Sequence, residues 1–184
     1  GDPSSRPAAF GHGETFLFLL GVNFWNVVGA GVLGLLINLP IVNYYEHATY
    51  MTLNHAHAAM FGVKGNVALA GMLFCCQHLF QKSAWNEKLV RTAFWSLNIG
   101  VALMMFLDMF PVGLYQIWIV LTEGYWAART SEVIMGPVFE TLTYLRSIGG
   151  AVFVFGGLLP LMYFVLCRGS RMNAETDTET DEWK

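Results

Sequence analysis

An all-α membrane protein with four transmembrane helices is the fold class this sequence predicts, and three observations carry it. Of 184 residues, 55% are hydrophobic and only 12% charged, where a soluble domain has about 25% charged residues. The apolar residues fall into four long runs, each able to cross the roughly 30 Å hydrocarbon core of a bilayer. Phe, Trp, Tyr, Met and Gly are abundant relative to charge, as in polytopic membrane proteins. The net charge is −3, much of it in the C-terminal tail. No basic stripe interleaved with aromatics occurs, so nothing points to nucleic acid as a partner.

Residues 1–14, rich in Gly and Pro, read as an N-terminal extension. They lack the basic segment and cleavage site of a signal peptide. The chain starts without Met, which fits processing or excision from something longer. Residues 15–167 form the transmembrane unit. Its first span covers 15–38, with Gly29, Gly31 and Gly34 spaced for close helix contact. Pro40 marks its end, and Asn43 to Ala48 is a polar, aromatic connection. The second span covers 50–80 and is interrupted by Lys64 and Asn66. A connection with Lys82, Lys88 and Arg91 set against Glu87 leads to the third span, 92–110. Pro111 and Gly113 are expected to kink or stop that span. Leu114 to Leu121 then reads as a helical extension at the interface, where Trp and Tyr are enriched. A polar connection over 123–140 precedes the last span, 140–167, whose Gly149-Gly150 and Gly156-Gly157 suit close packing and whose Pro160 suits a kink. Residues 168–184 form a polar, acidic tail with the composition of a disordered segment. Cys75, Cys76 and Cys167 have no metal-site spacing and read as small buried apolar residues.

Four spans put both termini on one side, together with Arg6, Lys82, Lys88, Arg91, Arg168 and Arg171. The positive-inside rule assigns that side to the cytoplasm or its equivalent. The expected location is the bacterial inner membrane, or the mitochondrial inner membrane in a eukaryote.

The chemistry concentrates in Asn54-His55-Ala56-His57, near the start of the second span. Each helical residue turns about 100°, so His55 and His57 point about 200° apart. They cannot grip one metal from one face, as histidines four apart do. They can serve two partners on opposite sides, and neutral imidazole is a common axial ligand of haem iron. One such residue reads as readily as interhelical hydrogen-bonding glue. Two in an apolar span point to a site, because intramembrane ionisable residues are costly.

Several stretches together resemble the quinol-dependent nitric oxide reductases of the haem–copper oxidase superfamily. They are Asn23-Phe24-Trp25-Asn26, Val42-Asn43-Tyr44-Tyr45-Glu46-His47, Asn54-His55-Ala56-His57-Ala58-Ala59, Ala93-Phe94-Trp95-Ser96-Leu97-Asn98 and Phe110-Pro111-Val112-Gly113. The similarity covers roughly residues 16 to 167 and maps the chain onto the four C-terminal helices of the family's catalytic subunit. It implies a place in a haem–copper oxidase-like helical bundle with two b-type haems, one high-spin and one low-spin. His55 then corresponds to the proximal ligand of the high-spin haem and His57 to an axial ligand of the low-spin haem. The implied reaction joins two NO molecules, with two electrons from quinol and two protons, into N2O and water. The family's three histidines for the non-haem iron lie on helices before this segment, so a second chain is expected to supply that metal site. His12, His47 and His78 do not rebuild it. The family usually has Gly where Ala48 and Ala56 stand, and an aromatic where Lys64 stands.

Other residues carry narrower expectations. Glu46 suits cation binding, proton relay or quinol contact, against a hydrated pair with His47. Arg146, read as beginning the last span, suits a haem propionate, against pairing with Glu140 or Glu123. Asp108 fits either kind of role. Lys64 suits a haem-substituent contact or a proton path, against a snorkelling or paired lysine. Asn66 reads as interhelical glue, and Met104-Met105 as core filler. The alternatives to a reductase part are an NO dismutase or oxygen-reducing relative, and a haem-free structural subunit of a respiratory complex.

Overall fold

The computed structural model describes residues 12–79 and 85–167. The expectations for residues 1–11 and for the tail from Arg168 onward lie outside these. The described residues form helices and no strand. Four helices are long and apolar enough to cross a membrane: α1 (Gly13–Asn38), α3 (Tyr50–Leu79), α4 (Glu87–Glu123) and α6 (Pro137–Cys167). Two short helices, α2 (Pro40–Glu46) and α5 (Ser131–Ile134), lie between them, with a 3-10 turn at Ala127–Arg129.

Local chemistry sets the boundaries. Leu39 is extended at ψ 121° and Pro40 opens α2, since a proline disfavours helical backbone before it and suits the first helical position after it. The Thr49 side chain accepts from the Met51 N–H at 3.2 Å to cap α3, and Asn86 accepts from the Leu89 N–H at 3.1 Å to cap α4. Gly124, at φ 104°, ends α4. The corner between α2 and α3 is less comfortable. Ala48 sits at φ 59°, a left-handed conformation that penalises any Cβ.

The third span does not stop at Pro111, and the second runs on as helix through the polar Lys64 and Asn66. Each spanning helix instead contains a π-helical segment: Asn26–Leu33, Ala58–Gly65, Met105–Met109 and Val152–Leu158. Two of these end just before a proline. There the Phe110 N–H bonds to Met105 O, and the Leu159 N–H to Val154 O. A ladder already running from i to i+5 passes over Pro111 and Pro160 without needing their missing N–H. The helix therefore continues. The expected interfacial extension is thus the second half of α4, and α6 begins at Pro137, three residues before the predicted boundary.

Helix α4 is the centre of the unit: half of its apolar stretch is buried, against 17% for α6. One core cluster joins Phe18, Leu73, Val90, Phe94, Leu97 and Leu161 across all four spans. A second joins Trp25, Ala58, Val101, Met105 and Met109, so Met105 is core filler as expected. Glycines set the closest approaches. A Cβ on Gly149 would lie 2.6 Å from the Met104 backbone nitrogen, and one on Gly100 would lie 2.7 Å from the Phe153 Cβ. Gly150 and Gly71 have open space instead. Of the three cysteines only Cys76 is buried, while Cys75 is exposed, because it falls on the outward side of α3.

A buried polar knot ties three helices. Trp25 Nε1 donates to Asn98 Oδ1 at 2.8 Å, and Asn66 Nδ2 donates to the same oxygen at 3.0 Å. Asn98 Nδ2 returns a bond to Asn66 Oδ1 at 3.3 Å, and Asn66 Nδ2 also reaches Gly62 O at 2.6 Å. Asn66 is interhelical glue, and this bonding explains why a polar residue leaves α3 uninterrupted.

Candidate functional site

The start of α3 is held firmly. Gln116 of α4 accepts from the Tyr50 N–H at 2.8 Å and donates to Ala128 O at 3.3 Å. Arg129 stacks 3.7 Å over the Tyr125 ring and donates to Tyr125 O and to His47 O. These contacts fix the first turn of α3 and, through it, the two histidines one to two turns further on. Neither Gln116 nor Arg129 stands out in the sequence as part of a site. Only their three-dimensional neighbours reveal the role.

His55 and His57 leave α3 toward different neighbours, as their spacing predicts. His55 Nδ1 lies 3.1 Å from Gly29 O on α1. A Cβ on Gly34 would stand 2.9 Å from His55 Cε1, so that glycine leaves the ring its place. His57 Nδ1 lies 3.1 Å from Leu53 O of its own helix. Its ring is 5.4 Å from Phe61, which meets Phe153 of α6 at 5.8 Å. A carbonyl oxygen only accepts, so each bond requires a proton on Nδ1. Each Nε2 is then left with its lone pair, the arrangement of a metal-ligating imidazole oriented by its other nitrogen. Both rings are partly buried. The donor chemistry fits an iron axial ligand on each side of α3.

Glu46 ends α2 and is buried, with 4% of its surface exposed. It is not the hydrated partner of exposed His47. Its carbonyl accepts from the Thr49 and Thr52 hydroxyls at 2.7 and 3.1 Å, while Oε1 has no hydrogen-bond partner. Burial pushes its carboxyl above the ordinary value, and a charge on His55 works in the opposite direction.

Arg146 is the tenth residue of α6, not its first. Neither Glu140 nor Glu123 pairs with it. Its Nε lies 3.5 Å from Asp108 Oδ2, and Asp108 is fully buried mid-way along α4. The contact is an ion pair without a hydrogen bond, since both Asp108 carboxylate oxygens lack one. The structure thus brings Asp108 and Arg146 together, a pairing the sequence alone does not supply.

Lys64 is exposed on α3, within the π-helical segment. A residue seven places after His57 would share its face in a regular α-helix, but not through this segment, because a wider turn advances each residue by less than 100°. At the other end of the unit His12 and His78 stack with ring centroids 5.5 Å apart, and His12 Nδ1 lies 2.6 Å from Gln77 Oε1. Among the described residues no group of three or more His, Cys, Asp or Glu side chains is placed to hold a metal ion.

The family model described as Cytochrome C and Quinol oxidase polypeptide I matches residues 9–152. The chain is also 27% identical over 158 residues to a nitric oxide reductase subunit from Stutzerimonas stutzeri. That alignment takes in 83% of this chain but 32% of the relative, so the chain spans about a third of that protein's length. With four membrane-crossing helices, an apolar bundle and a match over most of its length, the chain belongs to the cytochrome c and quinol oxidase polypeptide I family, the haem–copper oxidases.

Proposed function

We propose that this chain supplies the haem-ligating C-terminal portion of a nitric oxide reductase-like core and works only when the remaining helices are present. The observation that carries the reading is the pair of imidazoles on α3, each with Nδ1 bonded to a carbonyl and Nε2 free. His55 is the ligand of a high-spin b-type haem and His57 of a low-spin one. The haems, when bound, would accept quinol-derived electrons and deliver them to substrate. The relative's name supports the assignment to such a core. The non-haem iron belongs to the missing helices, on a second chain.

The chain's own residues then have defined tasks. Gly29 O and Leu53 O hold the two rings in the tautomer that keeps Nε2 available. Glu46, buried and with its carboxyl pushed above the ordinary value by that burial, takes up and passes on a proton toward the site, since two protons are consumed for each pair of NO molecules joined. Arg146, engaged through Nε by Asp108, keeps its two terminal nitrogens for a haem propionate, which a guanidinium can hold in a two-bond fork. The complex sits in a bacterial inner membrane, or a mitochondrial one, with both termini on the cytoplasmic side or its equivalent.

The test is a pyridine haemochrome spectrum with metal analysis on the purified complex, wild type and two variants. His57→Ala is expected to remove the low-spin haem signal. His55→Ala is expected to spare that signal and abolish NO turnover. Full haem content and full turnover in both variants would refute the ligand assignment. A lone 20.5 kDa species with normal activity would refute the need for a second chain.

A further inference from the structure

We propose that Lys64 marks the surface on which the rest of the core docks, and that its occupant is a transmembrane helix of the second chain carrying an Asp or Glu at mid-membrane depth. The inference rests on the reading above that further helices complete the unit.

Depth comes first. Tyr50–Leu79 has 30 residues, and Lys64 stands at their middle. At about 1.5 Å per residue, over 20 Å of helix lies on either side of it. In a bilayer core of roughly 30 Å, the nearest water is about 15 Å away for a centred helix. A lysine stem reaches about 6 Å from its Cα, too little to snorkel to either interface. Exposure comes second. Lys64 is on the outside of the unit, beside Met60, Phe61 and Val67, which are 54%, 46% and 48% exposed. Partners come third. Among the described residues the ion pairs are Arg91–Glu14 and Arg146–Asp108, and neither involves Lys64.

An ammonium facing lipid tails at that depth carries a cost of at least about 2.5–3.5 kcal/mol. The cost is offset if another helix covers the face and brings an opposite charge, because a desolvated charge is tolerated when it is paired. The surrounding Met60, Phe61 and Val67 give that helix an apolar seat around the pair. A bare apolar face would say nothing of its occupant. The buried-depth cation specifies one by charge.

Two measurements on membranes containing the assembled complex decide the matter. The first is charge reversal. Lys64→Glu would set two carboxylates against each other and is expected to lower the assembled complex on a native gel by more than about tenfold, while Lys64→Gln assembles. The second is treatment with dicyclohexylcarbodiimide, which activates a buried carboxyl. The Lys64 amine displaces the activating group, forming an isopeptide bond and releasing dicyclohexylurea. Peptide mass spectrometry should find Lys64 joined to an Asp or Glu of another chain with the loss of one water, and no such product in Lys64→Gln. Converting the carboxylate so identified to Lys should rescue Lys64→Glu. Normal assembly of Lys64→Glu overturns the proposal. So does the absence of a Lys64 product from an intact complex, or a product with a haem propionate or a carboxyl of this same chain. If the wild-type chain migrates alone, the proposed function fails first.

Discussion

The crossing of α1 and α3 offers the sharpest test of how the His55 ring is placed. A Cβ on Gly29 would lie 2.1 Å from the Ala58 Cβ and 3.2 Å from the Ala58 Cα. Two carbons rest at about 3.5–4.0 Å, so Gly29→Ala must drive the helices apart by roughly 1.5 Å. That displacement takes Gly29 O out of reach of His55 Nδ1, now 3.1 Å away. Overpacking costs about 1–3 kcal/mol, and a lost hydrogen bond about 0.5–1.5 kcal/mol, for a total of about 1.5–4.5 kcal/mol. Trp25 stands at the same crossing, where a Cβ on Gly62 would meet its Cγ at 2.4 Å. Tryptophan fluorescence during thermal or denaturant unfolding of the complex is therefore a suitable assay. Gly71→Ala makes the same chemical change in open space and should be neutral or stabilising by up to about 1 kcal/mol. Gly29→Ala with Ala58→Gly removes the opposing methyl and should recover most of the loss. If Gly29→Ala is as stable as Gly71→Ala, or if the double variant is no better than the single one, the argument from close approach is wrong.

Three further outcomes are expected. Ala48→Gly should stabilise the protein by about 0.5–1 kcal/mol in denaturant unfolding, because relief of the left-handed backbone outweighs the added chain entropy of Gly; destabilisation would argue against the φ of 59°. Asn98→Leu should cost about 1–3 kcal/mol, since it strands Trp25 Nε1 and Asn66 Oδ1, and an unchanged midpoint would show the knot to be dispensable. Glu46 sets a pH dependence. Its folded-state carboxyl titrates above the ordinary 4.5, so its stabilising effect is complete below that value and fades as pH rises through the folded-state value. Glu46→Gln mimics the neutral acid. Its stability advantage over wild type should therefore grow as pH rises above about 4.5, as read from melting temperatures across a pH series. A constant difference would remove Glu46 from the pH response.

Much of the fold is legible in the chain because membrane helices announce themselves by length and polarity. The opposite directions of His55 and His57 follow from a rotation of 100° per residue, and the end of α1 from Pro40. The departures share a cause. Pro111 and Lys64 invite α-helical rules, yet π-helical segments change what each residue does there. Gln116, Arg129 and the Asp108–Arg146 pair are hidden for another reason. Their partners lie far along the chain: His47 is 82 residues from Arg129, and Tyr50 is 66 from Gln116. No local pattern encodes such a meeting. The burial of Glu46 is equally hidden, because a carboxylate in a polar connection reads in sequence as solvated.

The π-helical segments have a consequence for how the protein can change. A wide turn holds one more residue than an α-helix needs there, so every spanning helix carries a phase step near its middle. The residues on the two sides of that step belong to different rotational frames. In α3 the step falls between His57, which precedes it, and Asn66, which follows it. Deleting one residue from Ala58–Gly65 would let the segment tighten to an α-helix with Asn66 keeping its direction relative to His55 and His57, because the residue lost is the one the wide turn held in excess. Tightening the segment without a deletion would instead swing everything beyond it by about 100° and take Asn66 from Asn98, while the histidines kept their carbonyls. The two halves of the helix are thus keyed to each other by the wide turn itself, and its tightening would uncouple the outer chemistry from the inner packing.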